Sequence, residues 1–183
     1  MPELHPLLAA RWSPRAFDPV AELTPTELSS LLEAARWAPS SRNSQPWRFV
    51  VGTRDDETHK RIFANLSAGN QRWAGDASVL IVGAHATTGP DGSPLPRAAY
   101  DLGQAVAHLS LQATAFELYV HQMAGFDAES LRTDLELPDD LEIAVVIAVG
   151  RLGNPDSLPA DLRAREIALR ARRPVADIVF TSA

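Results

Sequence analysis

Apolar positions recur in this chain with two different periods, and the changes of period mark its elements. Thr24-Pro25-Thr26-Glu27 combines a threonine cap, a proline in the first turn and a glutamate three residues on, which predicts a helix start. Leu28, Leu31, Leu32 and Ala35 then follow at helical spacing until Ala38-Pro39 stops the run. Residues 3–11 and 56–66 carry shorter helical patterns, and Trp47 to Gly52 reads as a strand. Two continuous apolar runs, Ala77–Ala84 and Ile143–Gly150, are of strand length and belong at the centre of a sheet, buried on both faces. Between them Ala98–Leu118 is the longest helical pattern, about 30 Å at the standard rise. It is rich in small residues (Ala99, Gly103, Ala105, Ala107, Ala113, Ala115), which suits either a close-packed dimer helix or an ordinary buried one. Helices and strands are mixed without strict βαβ alternation. The expected class is therefore α+β, with a central, mostly antiparallel sheet flanked by helices.

Composition narrows the chemistry. The 183 residues suffice for one domain, expected to span 1–183. Seventeen basic against 23 acidic side chains argue against nucleic acid as a partner, because that affinity rests on neutralising phosphates. The arginines cluster near both ends, which suits one small anion better than a polyanion. With no cysteine, disulfides, thiolate metal sites and thiol nucleophiles are excluded. No charged segment followed by an apolar run opens the chain, so no signal peptide is expected, and a cytoplasmic location fits. No apolar stretch reaches membrane-spanning length. The five histidines lack metal-ligand spacing, so no metal is expected. G-x-G-x-x-G, G-x-S-x-G and P-loop signatures are all missing.

What remains are polar segments in suggestive places. Arg11-Trp-Ser-Pro-Arg15 sets two guanidiniums and a hydroxyl on alternate residues, and alternate side chains of an extended chain share a side. Arginine forks match phosphate and carboxylate oxygens. Ala38-Pro-Ser-Ser-Arg-Asn-Ser-Gln-Pro-Trp47 packs hydroxyls, amides and backbone donors into a bend between a helix and a strand. Arg170-Ala-Arg-Arg-Pro-Val-Ala-Asp-Ile-Val179 joins an arginine cluster to an apolar extended stretch; a charged tail is the common fate of terminal arginines, but solvated tails are rarely so apolar.

Three such segments, in this order and at this chain length, resemble the FMN-dependent nitroreductase family over nearly the whole chain. The resemblance implies that Arg11, Trp12, Ser13 and Arg15 grip the phosphate and ribityl chain of FMN, with Trp12 offering mainly ring contact. Arg170 and Arg172 would close on the phosphate from the C-terminal side. Pro39, Ser40, Ser41, Asn43 and Gln45 would reach the flavin from the other subunit, and Asn70 would bond its pyrimidine edge. Gln122, Met123, Ala124 and Gly125 would act through backbone N–H groups near its reactive nitrogen. Arg42, Gln71 and Trp73 stand as substrate-side candidates. The family usually has a glycine where this chain has Phe116-Glu-Leu-Tyr119, which leaves that turn open.

The implied protein is a homodimer with an exchanged C-terminal strand. It would pass a hydride from NAD(P)H through FMN to a nitroaromatic, quinone or similar small acceptor by a ping-pong mechanism, the flavin rather than a catalytic side chain carrying the chemistry. Two alternatives stay open: a flavin-consuming or flavin-sensing relative without robust NAD(P)H turnover, and a non-flavin interaction protein on the same scaffold.

Overall fold

The computed structural model describes residues 3–180. Four antiparallel strands, β1 (Trp47–Thr53), β2 (Val79–Ala86), β3 (Tyr119–Met123) and β4 (Leu141–Gly150), form a sheet in the order β1-β2-β4-β3. The two continuous apolar runs are the two inner strands. In β2, Leu80 and Val82 point into one core with Val146 and Ala148 of β4, while Val79 and Ile81 point into the other with Ile147 and Val149. Alternation by twos thus divides one apolar run between two cores, which is why no polar face appears in the sequence. The register slips between Gly83 and Ala84, where β2 runs past Ala144.

On one face lie α2 (Pro25–Arg36) and α5 (Ala98–Ala115), with Leu31, Ala35, Leu102, Ala105, Leu109 and Ala113 buried against the sheet. On the other lie α3 (Glu57–Ala64), α6 (Ala128–Asp134) and α7 (Ala160–Glu166), which bury Ile62, Leu131 and Leu162. The short helices α1 (Pro6–Ala10) and α4 (Ala68–Gln71) lie in the connections. The capping box expected at α2 is present: Thr24 Oγ1 accepts from Glu27 N at 3.1 Å, and Glu27 Oε2 accepts from Thr24 N at 2.8 Å. No helix among the described residues is long and apolar enough to cross a membrane.

One expectation needs correction. The long helix ends at Ala115 rather than Leu118, because Glu117 enters the left-handed region at φ 57°. Leu118 N then donates to Ala113 O and Glu117 N to Thr114 O, closing a Schellman turn without the glycine that usually forms it. The C-terminal segment, expected to join a partner's sheet, forms no strand with its own chain. It holds a 3-10 turn at Val175–Asp177 and is exposed, Ile178 at 65% and Phe180 at 95%. An extended strand needs a sheet edge to satisfy its backbone, and this segment pairs with none among the described residues.

The small residues of α5 fall into two groups. Ala105 and Ala113 pack into the core, while Ala99, Gly103, Ala107 and Ala115 are exposed.

Candidate functional site

The chain from Arg11 to Phe17 is pinned from three directions. Phe17 is buried and bridges to Leu152, and Gly153 N donates to Ala16 O. At Gly153 a Cβ would lie 2.3 Å from Phe17 O, so only glycine permits this approach. At the end of α7 the buried Glu166 accepts from Arg15 N with both carboxylate oxygens, at 2.9 and 3.0 Å, and from Ala16 N at 3.0 Å. From β3, His121 Nδ1 donates to Pro14 O at 2.7 Å, which places its proton on that nitrogen. Burial holds His121 down at a pKa of about 4, so the ring is neutral at physiological pH. Its face lies 4.4 Å from the Trp73 ring, which in turn stacks on Phe17.

This fixed segment presents guanidiniums to the C-terminal one. Arg170 crosses the end of α1, its Nη1 and Nη2 donating to Arg11 O at 3.0 Å and Ala9 O at 2.9 Å. The half-buried Arg11 has its pKa lowered by burial and then by the charges of Arg172 and Arg170. Arg11 Nη1 lies 3.4 Å from Ser13 Oγ. None of the ion pairs among the described residues uses Arg11, Arg15, Arg170 or Arg172. Like charges gathered without a carboxylate repel one another, and a dianion relieves that cost, so the donor set fits a phosphate. Trp12 turns instead to Tyr119, edge-on at 6.2 Å, and serves packing.

A second group forms where β3 ends. Asn70 Nδ2 and Ser67 N both donate to Gly125 O at 2.9 Å, which ties α4 to the Gln122–Gly125 segment. A Cβ at Gly125 would meet Ser67 Oγ at 2.7 Å and Asn70 Nδ2 at 3.0 Å. Gln122 and Ala124 are exposed, Met123 is buried, and all three border a cavity of about 310 Å³ with Ala99, Gly103 and Val145. Two substrate-side candidates belong elsewhere. Trp73 is buried between Phe17 and His121, and the Gln71 amide donates to Phe63 O and Ala64 O. Neither side chain is free to meet a substrate.

The third group is the loop after α2. Arg42, Asn43 and Gln45 all have positive φ (53°, 57° and 45°), a costly conformation for residues with a Cβ. Asp101, buried in the first turn of α5, accepts from Ser41 N at 3.0 Å, and Ser40 Oγ accepts from Gln45 N at 3.1 Å. The exposed Pro39 leads into this bend.

Within one chain these groups do not all converge. The loop leads into β1 and the Gln122–Gly125 segment leaves β3, and these strands are the opposite edges of the sheet. Three strand spacings, about 14 Å, separate them. The Arg11–Arg15 turn, by contrast, sits directly beside β3 through His121.

Glu166 and His121 went unrecognised in the sequence. Each acts on the backbone of a segment more than 100 residues away, and no local spacing announces such a partner.

Comparison with known proteins gives these groups a context. The model of the nitroreductase family matches residues 8–69 and 56–151. A crystal structure of an oxidoreductase containing FMN is 35% identical with a TM-score of 0.92, covering 100% of this chain and 93% of that one. Protein DrgA of Synechocystis is 31% identical over 171 residues, 77% of this chain and 80% of its own length. The oxygen-insensitive NADPH nitroreductase of Helicobacter pylori is 43% identical over 76 residues, 42% of this chain and 35% of its own.

Proposed function

This chain belongs to the nitroreductase family, and from that premise we propose that it is an NAD(P)H-dependent FMN oxidoreductase, a homodimer of single-domain chains. The observation that carries the reading is the meeting of Arg11 with Arg170 and Arg172, drawn from opposite ends of the chain and left without a carboxylate. Arg11, Ser13, Arg15 and Arg172 hold the FMN phosphate and ribityl chain, while Arg170 divides itself between that charge and the carbonyls ending α1. Asn70 and the Gln122–Gly125 backbone address the ring system, fixed to one another through Gly125 O. Bound FMN would supply the hydride chemistry between NAD(P)H and an acceptor.

The protein contributes position and electrostatics. Glu166 and His121 fix the Pro14–Ala16 backbone, which carries Arg15 and follows Arg11, so that this backbone need not rearrange when the anion arrives. The Pro39–Gln45 loop, with Ser40, Ser41, Asn43 and Gln45, completes the site from a second copy, since the sheet holds it about 14 Å from the Gln122–Gly125 segment of its own chain. The exposed Val175, Ile178, Val179 and Phe180 give the partner an apolar segment to bury, exchanged between subunits. Reductant and acceptor (a nitroaromatic, a quinone or a similar molecule) take turns at one place, which gives ping-pong kinetics.

The test is direct. Purified protein should be yellow, elute at twice the chain mass and bind FMN at about one per chain. Double-reciprocal plots against NAD(P)H at several acceptor concentrations should be parallel. A colourless protein that ignores added FMN refutes the reading.

A further inference from the structure

Away from the arginine cluster near α1, a cavity of about 720 Å³ opens between the strained Ser41–Ser44 loop, the first turn of α5 and the Gly89–Arg97 loop. Its walls are of two kinds. Pro90, Pro94, Leu95 and Pro96 supply a flat apolar side that is already rigid. Proline fixes its own backbone, and the loop is bonded to itself by Gly89 N to Ser93 O at 2.7 Å and Leu95 N to Thr87 O at 2.9 Å. Arg42 and Arg97 bring two positive charges to the same cavity.

These two arginines differ from most in the chain. Neither guanidinium takes part in an ion pair or a side-chain hydrogen bond among the described residues, whereas Arg36, Arg72, Arg151 and Arg163 each hold a carboxylate. Two carboxylates also border the cavity, each with one oxygen engaged by its own loop or the neighbouring one. Asp101 Oδ2 accepts from Ser41 N, and Asp91 Oδ1 accepts from Ser93 N at 3.0 Å and Ser93 Oγ at 2.6 Å. The acids therefore hold the loops in shape, while the two exposed guanidiniums bond no protein group among the described residues. The backbone of Arg42 is meanwhile kept at φ 53°, a strain that persists only where the surroundings over-determine it.

We propose that Arg42 and Arg97 form a second oxyanion-recognition subsite, which selects a reaction partner carrying a carboxylate or phosphate on a flat apolar body. The proposal rests on the oxidoreductase reading only in taking the occupant for a reaction partner; the binding itself needs no flavin. Arginine forks pair with either oxyanion, and the proline wall accepts a planar ring. A neutral analogue of the same shape gains the wall and loses the charge contact.

Isothermal titration at low salt tests the subsite, with FMN content recorded separately by absorbance. Two probe pairs separate the sources of the anion: 4-nitrobenzoate against 4-nitrobenzyl alcohol, and 2′-AMP against adenosine. Wild type should favour the charged member of at least one pair by roughly ten- to a hundred-fold, the range of one to two charge-assisted contacts. Arg42→Ala and Arg97→Ala should each shrink that preference about ten-fold while circular dichroism and FMN content stay as in wild type. The pair that responds identifies the group as carboxylate or phosphate. Equal affinity within both pairs, or a preference that survives in both variants, overturns the subsite. Colourless protein that keeps the preference would sink the flavin reading and leave this one standing.

Discussion

Removing the Glu166 carboxylate should loosen the Arg11–Phe17 segment without replacing any residue proposed to hold the cofactor. Glu166 is buried and accepts from two backbone donors, Arg15 N through both oxygens and Ala16 N through one. Glu166→Ala leaves both N–H groups without a partner, one of them on the fully packed Ala16. A buried donor left unsatisfied costs about 1–3 kcal/mol, and water can reach the less buried Arg15 end, so the expected loss is about 2–4 kcal/mol. For a chain of this size that lowers Tm by about 5–12 °C. Glu166→Gln keeps one acceptor but turns an amide N–H toward a backbone donor, and should cost about half as much. Because the same segment carries Arg11 and Arg15, FMN affinity should fall in both variants, more in the alanine one. Thermal unfolding by circular dichroism and fluorescence titration with FMN read the two effects. An alanine variant within 1 °C of wild type, with unchanged FMN affinity, would refute the reasoning that this carboxylate fixes the segment.

Three other outcomes follow from the same geometry. His121 binds a proton near pH 4 when folded and near its ordinary 6.5 when unfolded. Stability should therefore be complete above about pH 6.5 and fall progressively as pH drops toward 4, by on the order of 2–3 kcal/mol. His121→Phe should flatten that limb in urea titrations run at several pH values, and an unchanged slope would mean another group carries it. Glu117→Gly should raise Tm by about 1–4 °C, since it relieves a left-handed residue costing roughly 1–2 kcal/mol, about half of it offset by the greater freedom of glycine when unfolded. A lower Tm would count against the Schellman account. Arg11→Ala and Arg172→Ala should each weaken FMN roughly ten- to a hundred-fold with Tm of the flavin-free protein little changed, and wild-type titration curves for both would remove the phosphate assignment.

Wherever a local rule decided the outcome, the sequence sufficed. Thr24, Pro25 and Glu27 predict the start of α2 because a capping box is made by neighbours in the chain. The unbroken apolar runs of β2 and β4 predict inner strands because only burial on both faces tolerates such a pattern. The N-terminal and C-terminal arginines stand as candidate phosphate ligands only through the family resemblance, since an arginine pair by itself reads equally as a solvated turn or tail. Their meeting could not be read from their spacing, because it depends on how α7 and the last segment return to α1, and that path is set by packing over the whole chain. Glu166 and His121 were hidden for the same reason: each bonds a backbone group that sequence distance makes remote and folding makes adjacent. Trp73 and Gln71 were misplaced because a polar, turn-like neighbourhood says nothing about which way a side chain points. The core claimed one, and two carbonyls near the end of α3 claimed the other. Strand order was equally illegible, since antiparallel pairing of these four strands admits several orders. The observed order sets β1 and β3 at opposite edges, which is the reason the site is proposed to draw on two copies of the chain.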